Sequence, residues 1–172
     1  ATWLYGPRAG RWASLLWISL PAVGLGSFLI STDTPLLLCI SLALLAIAGS
    51  SRNKIPPTPA MICAGFALGV GMLAKYAALY GLFGLLLIGA IGRHQPAPII
   101  RGKHLLLALV AFLITASPNL VWNIAHDFST MRHLGDNANF AKQTNNFTES
   151  LIFLISQAGV AGPLTFLLMS GI

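Results

Sequence analysis

Between Ala60 and Ile91 the chain runs for 32 residues with a single charged side chain, Lys75. About 20 such residues are enough to cross a bilayer as a helix. At 1.5 Å per residue the run would measure about 48 Å, too long for one straight crossing and short for two. A charge at bilayer depth costs from about 3 to more than about 10 kcal/mol, so the position of Lys75 within the run needs a physical reason.

Comparable apolar segments lie at roughly 12–30, 35–49, 58–74, 76–91, 104–122 and 150–172. They are separated by polar breakers: "STDTP" at 31–35, "SSRNKIPPTP" at 50–59, "GRHQPAPIIRGKH" at 92–104 and a long polar stretch from Asn123 to Ser150. Hydrophobic residues make up 56% of the chain and charged residues 8%, against roughly 25% charged in a soluble domain. Mean hydropathy is +0.78. These features predict an all-α, polytopic transmembrane helix bundle forming one domain over residues 1–172. Pro21 and Pro118 fall inside apolar segments, where they should kink a helix or mark its end. The chain opens at Ala1, and its first apolar segment lacks a small-residue cleavage site, which argues against a removable signal peptide. It reads as a piece of a longer polytopic protein.

The formal charge of +6 comes from basic residues scattered in short clusters between apolar runs. Membrane topology explains such clusters and argues against nucleic-acid binding. Cys39 and Cys63 both lie inside apolar runs, where a free cysteine behaves as a small hydrophobe, and imply neither a disulfide framework nor a metal site.

Charge placement decides how the 60–91 run folds. If the chain reverses at Lys75, then Arg52, Lys54, Arg101 and Lys103 fall on one side with Arg8, Arg11 and Arg93, which is seven of the ten basic residues. All four acids, Asp33, Asp127, Asp136 and Glu149, fall on the other. A single long span would put the two basic loops on opposite faces. The positive-inside rule therefore predicts a hairpin, about six spans, a cytoplasmic amino terminus, and Lys75 at an external turn a little below the membrane surface. Glycines at 65, 69, 71, 81 and 84 include the small-xxx-small spacing that lets membrane helices approach closely.

Under this topology Ser31, Thr32 and Asp33, the Lys75 turn and the external loop at about 123–150 share one face. That loop carries His126, Asp127, Arg132, His133 and Asp136. A lipid-linked phosphate, its acyl chain still in the bilayer, would reach such a face. Lysine suits it as a point-charge phosphate donor, with Arg132 available for bidentate contact. Each residue also has a plainer explanation. Asp33 precedes Pro35 at a helix start, where it is a candidate N-terminal cap. Lys75 can snorkel to the interface with Tyr76 as an aromatic anchor. His126 and His133 can be interfacial residues without a ligand, and they would share a helical face only if the loop is helical. "NFT" at 146–148 has glycosylation spacing, a weak three-residue pattern.

Three stretches carry a family resemblance: "FLISTDTPLLLCISLALLAIA" at 28–48, "GFALGVGMLAKYAALYGLFGLLL" at 65–87 and "SPNLVWNIAHDFSTMRHLGDNA" at 117–138. In this order they resemble the bacterial branch of the family 39 glycosyltransferases, relatives of protein O-mannosyltransferases and of the aminoarabinose transferase that modifies lipid A. The resemblance implies a GT-C-type multi-helix enzyme of the bacterial inner membrane. Such an enzyme takes a sugar from a polyprenyl-phosphate donor on the external, periplasmic face and passes it to a lipid, glycan or protein. It further implies that Lys75 binds the donor phosphate, that Asp33 lines the same cavity and orients that lysine or a sugar hydroxyl, and that Tyr76 and Arg132 belong to the cavity. His133 or His126 would lie at the loop position where some relatives hold a divalent metal, His133 being the candidate ligand, although the spacing supplies no complete ligand set. Relatives invert the anomeric carbon in one displacement, which needs a carboxylate base. The family's base lies in a first external loop that would precede Ala1. A fragment inactive alone is therefore the expectation. The rival readings are a transporter or lipid flippase core, in which a charge at a helix break marks a substrate path, and a purely structural membrane subunit.

Overall fold

The computed structural model describes residues 1–29, 31–92, 102–130, 132 and 147–162. These form helices α1 (Thr2–Tyr5), α2 (Pro7–Ser19), α3 (Pro21–Gly26), α4 (Asp33–Ser51), α5 (Pro57–Ala74), α6 (Ala78–Gly92), α7 (Gly102–Ala125) and α8 (Phe147–Ala161), with no strand among the described residues. The fold is an all-helical membrane bundle. Among the described residues three helices, α4, α5 and α7, are long and apolar enough to cross a bilayer. The α6 helix has the same character but only 15 residues.

The segment expected at 12–30 starts earlier, at Pro7, and is cut in two. Leu20 sits at φ −64°, ψ 122°, the extended region into which a following proline pushes its neighbour. Pro21 then opens α3, where its missing N–H costs nothing. Pro118 behaves differently, because α7 runs straight through it. A proline at 118 leaves the Ile114 carbonyl without its usual helical donor, and the Ser117 hydroxyl donates to that oxygen at 2.7 Å instead. The helix ends three residues past the expected Trp122. Asp127 turns left-handed at φ 50°, and the Phe128 N–H closes onto the Asn123 carbonyl at 2.8 Å. The basic end of α4 stops in the same way, with Asn53 at φ 54° and Lys54 N–H donating to the Gly49 carbonyl at 2.8 Å.

The core is built around α5. Its residues Leu36-facing Gly71 and Leu68 place the neighbouring helices: Gly71 lies against Cys39 of α4, and Gly81 of α6 abuts Leu68. Residues 68 and 81 would be about 20 Å apart in a continuous helix, so their contact shows that the chain reverses between α5 and α6, as charge placement predicts. On the other side Gly65 meets Ala108 and Gly69 meets Phe112 and Thr115, in rising order on both helices, so α5 and α7 run parallel. Gly89 meets Leu105, which makes α6 and α7 antiparallel neighbours. The α5–α7 seam is lined by small residues, with Ala64, Ala108 and Ala116 fully buried, the arrangement that brings membrane helices close. A Cβ at Gly65 would overlap the Ala108 carbonyl, so only glycine fits there. Leu38, Phe66, Phe83, Leu106 and Ile114 face outward, an apolar exterior suited to lipid. Cys39 is buried in the bundle and Cys63 faces out of it.

These directions put the start of α4, the α5–α6 turn and the end of α7 at one end of the bundle. Arg52, Lys54 and Lys103 lie at the other, where the Arg52 guanidinium also donates to the Leu4 carbonyl of α1 at 2.7 Å.

Candidate functional site

Asp33 is the first residue of α4, and the cap position, Thr32, makes no side-chain hydrogen bond. The Asp33 carboxylate does not cap the helix. Its Oδ1 accepts from Lys75 Nζ at 2.5 Å, and its Oδ2 accepts from the Ser31 hydroxyl at 3.2 Å. Ser31 Oγ in turn accepts the Asp33 N–H at 3.1 Å. Both carboxylate oxygens are thus aimed by side-chain partners. Thr34 donates to the Gly26 carbonyl at 3.2 Å and ties this corner to α3.

Lys75 comes from the turn that ends α5. It is extended, at φ −159° and ψ 133°. Its N–H still reaches back to the Gly71 carbonyl at 2.9 Å, while its own carbonyl accepts the Ala78 N–H at 3.1 Å and so starts α6. The break releases the ammonium from the helix face and lets it meet a carboxylate 42 residues away in sequence. This is the reason a lysine interrupts the apolar run: it stands at an end of the bundle beside an opposite charge. The side chains remain 46% and 56% exposed for Lys75 and Asp33. An ammonium has three donors, so a ligand can approach Lys75 without displacing Asp33.

Tyr76 points the other way, to α7. Its hydroxyl donates to Asn119 Oδ1 at 2.9 Å and accepts from Asn123 Nδ2 at 3.3 Å. The same Nδ2 lies 2.9 Å from the Asn119 carbonyl and 3.1 Å from Asn119 Oδ1. Sequence reasoning named neither asparagine as a site residue. Their signal was two amides at i and i+4 on an otherwise apolar helix, within the "SPNLVWN" stretch.

His126, Asp127 and Arg132 follow the end of α7. The His126 ring stacks on Trp122 with centroids 4.3 Å apart, and its Nδ1 lies 2.8 Å from the Trp122 carbonyl. None of the three hydrogen-bonds or ion-pairs with Lys75 or Asp33 among the described residues. His133, Asp136 and the acceptor asparagine of "NFT", Asn146, lie outside the described residues. No cluster of three or more His, Cys, Asp or Glu suited to a metal occurs among the described residues. His126, with Nδ1 engaged, offers one imidazole nitrogen, which is not a metal site by itself.

Beside Asp33 lies a cavity of about 380 Å³ between α2, α3 and α4, lined by Trp17, Val23, Gly26, Thr34, Leu37 and Leu38 among others. It is an apolar cleft with a carboxylate at its rim.

The model of the dolichyl-phosphate-mannose-protein mannosyltransferase family matches residues 1–122. The chain belongs to that family. The family consists of membrane glycosyltransferases of the GT-C type, as the three sequence stretches indicated. The chain is also 35% identical over 168 residues to a lipid A galacturonosyltransferase of Rhizobium johnstonii, covering 95% of this chain and 34% of that protein. It therefore spans about a third of the length of the curated relative it matches. No solved structure matches it.

Proposed function

We propose that this chain forms the donor-phosphate side of a membrane glycosyltransferase site that draws on a polyprenyl-phosphate sugar. Lys75 binds the phosphate, Asp33 holds the ammonium in place or receives a sugar hydroxyl, and the apolar cleft between α2, α3 and α4 takes the first isoprenoid units. Arg132 adds a second cation from the loop after α7. The single observation that carries this reading is the Lys75–Asp33 pair, assembled from two helices at one end of the bundle and open to a ligand. In the reaction the acceptor hydroxyl gives its proton to a carboxylate base of the complete enzyme as its oxygen attacks the anomeric carbon, the glycosyl–phosphate bond breaks, and the phosphate departs with the bonding electrons. A fixed ammonium stabilises that departing charge. The named activity of the Rhizobium relative supports a lipid A-like glycolipid as the acceptor and a uronic acid as the sugar. The basic end of the bundle supports a bacterial inner-membrane protein with its site on the periplasmic face.

The test is transfer from a labelled polyprenyl-phosphate sugar by the complete enzyme in membranes. Lys75→Ala is expected to reduce transfer by about a hundredfold or more, with unchanged membrane insertion. Transfer at the parent rate would remove Lys75 from the reaction.

A further inference from the structure

We propose that Tyr76, Asn119 and Asn123 form a positioning network that anchors the α5–α6 turn to α7 and thereby holds Lys75 against Asp33. Consecutive side chains of an extended stretch project to opposite sides. Here Lys75 reaches α4 while Tyr76 reaches α7, so the three-residue turn is held from both flanks. One hold is ionic and the other is neutral.

The neutral hold has a defined polarity. The Asn119 backbone carbonyl can only accept, so the Asn123 amide must present Nδ2 to it. The second Nδ2 proton faces both the Tyr76 hydroxyl at 3.3 Å and Asn119 Oδ1 at 3.1 Å, and the hydroxyl proton goes to Asn119 Oδ1. Asn123 is only 5% exposed, and its Oδ1 has no hydrogen-bond partner among the described residues. Burying a half-satisfied amide in an apolar helix is costly. An apolar residue would pack there without that cost, yet it would leave the Tyr76 hydroxyl without its donor. The neighbours Leu120, Val121 and Ile124 face outward, so the two asparagines are the polar part of α7 that meets the turn.

The geometric half of this proposal stands without any assigned reaction; its consequence for catalysis rests on the reading of Lys75 as the phosphate-binding residue. Two readouts on the complete enzyme separate them. The first is the modification of Lys75 relative to Lys54, at the opposite end of the bundle, by a water-soluble amine-reactive ester, quantified by mass spectrometry. The second is the split of KM and kcat for a polyprenyl-phosphate sugar. Tyr76→Phe removes one oxygen and keeps the ring, and Asn119→Ala removes the acceptor. Each is expected to raise the Lys75-to-Lys54 ratio about fivefold and to raise the donor KM more than it lowers kcat. Asn119→Asp retains an acceptor for Tyr76 and is expected to keep both quantities near the parent values. An unchanged ratio in both Tyr76→Phe and Asn119→Ala overturns the network, even where Lys75→Ala abolishes transfer. A raised ratio with transfer indifferent to Lys75→Ala keeps the network and sinks the phosphate-binding reading instead.

Discussion

Asp33 and Lys75 are the residues on which the proposed site turns, and the roles proposed for them divide by chemistry. The ammonium has donors to spare for a ligand, whereas both carboxylate oxygens are already engaged, by Lys75 and Ser31. Asp33→Asn keeps the shape and removes the charge, so the ammonium loses the partner that fixes its direction. Misplacement of a binding group by about 1 Å can cost about a hundredfold in rate, and a loss of that order in sugar transfer is expected for Asp33→Asn, with Asp33→Glu recovering part of it. The convergence of these two residues was legible in the sequence because a charge in an apolar run is expensive and must be explained. The asparagines were not, since a neutral amide in a hydrophobic helix leaves no mark on charge-based topology. Tyr76 was expected as an interfacial anchor and as a cavity residue; its hydroxyl partners became visible only when α7 was placed beside the turn. His133 and Asp136 were nominated from the same loop as His126 and remain expectations of the sequence.

Among the elements, α5 bears the structural demand. Its Gly65 and Gly69 face lets α7 pack with backbone nearly touching backbone. Gly65→Val forces a side chain into the Ala108 carbonyl, and overpacking of this kind costs about 1–3 kcal/mol or more. A lowered thermal unfolding midpoint in detergent is the expected result, with Gly84→Val, where a Cβ would meet nothing, as the mild control. The two internal prolines show why element boundaries were harder to read than elements. Pro21 and Pro118 look alike in sequence, but Ser117 supplies the Ile114 carbonyl with a donor and α7 continues, while Leu20 turns extended and α2 stops. Ser117→Ala is accordingly expected to destabilise α7 by about 1 kcal/mol, the worth of one hydrogen bond, measured by the same unfolding assay.

For the molecule as a whole, the hairpin at Lys75 sends the basic loops to one end and the candidate site to the other. Single cysteines introduced as Arg52→Cys and Asp127→Cys, in a background with Cys39 and Cys63 replaced, test this directly. A membrane-impermeant thiol reagent added to intact spheroplasts is expected to modify the second and spare the first. Modification of Arg52→Cys alone would invert the topology and overturn the proposed periplasmic face. The 18 residues of α5, bounded by Pro56 and Lys75, extend about 27 Å, a little less than the roughly 30 Å hydrocarbon layer. A helix of that length leaves the lysine at its end close to the headgroup plane, and a bilayer of shorter acyl chains is expected to suit this protein better than one of longer chains.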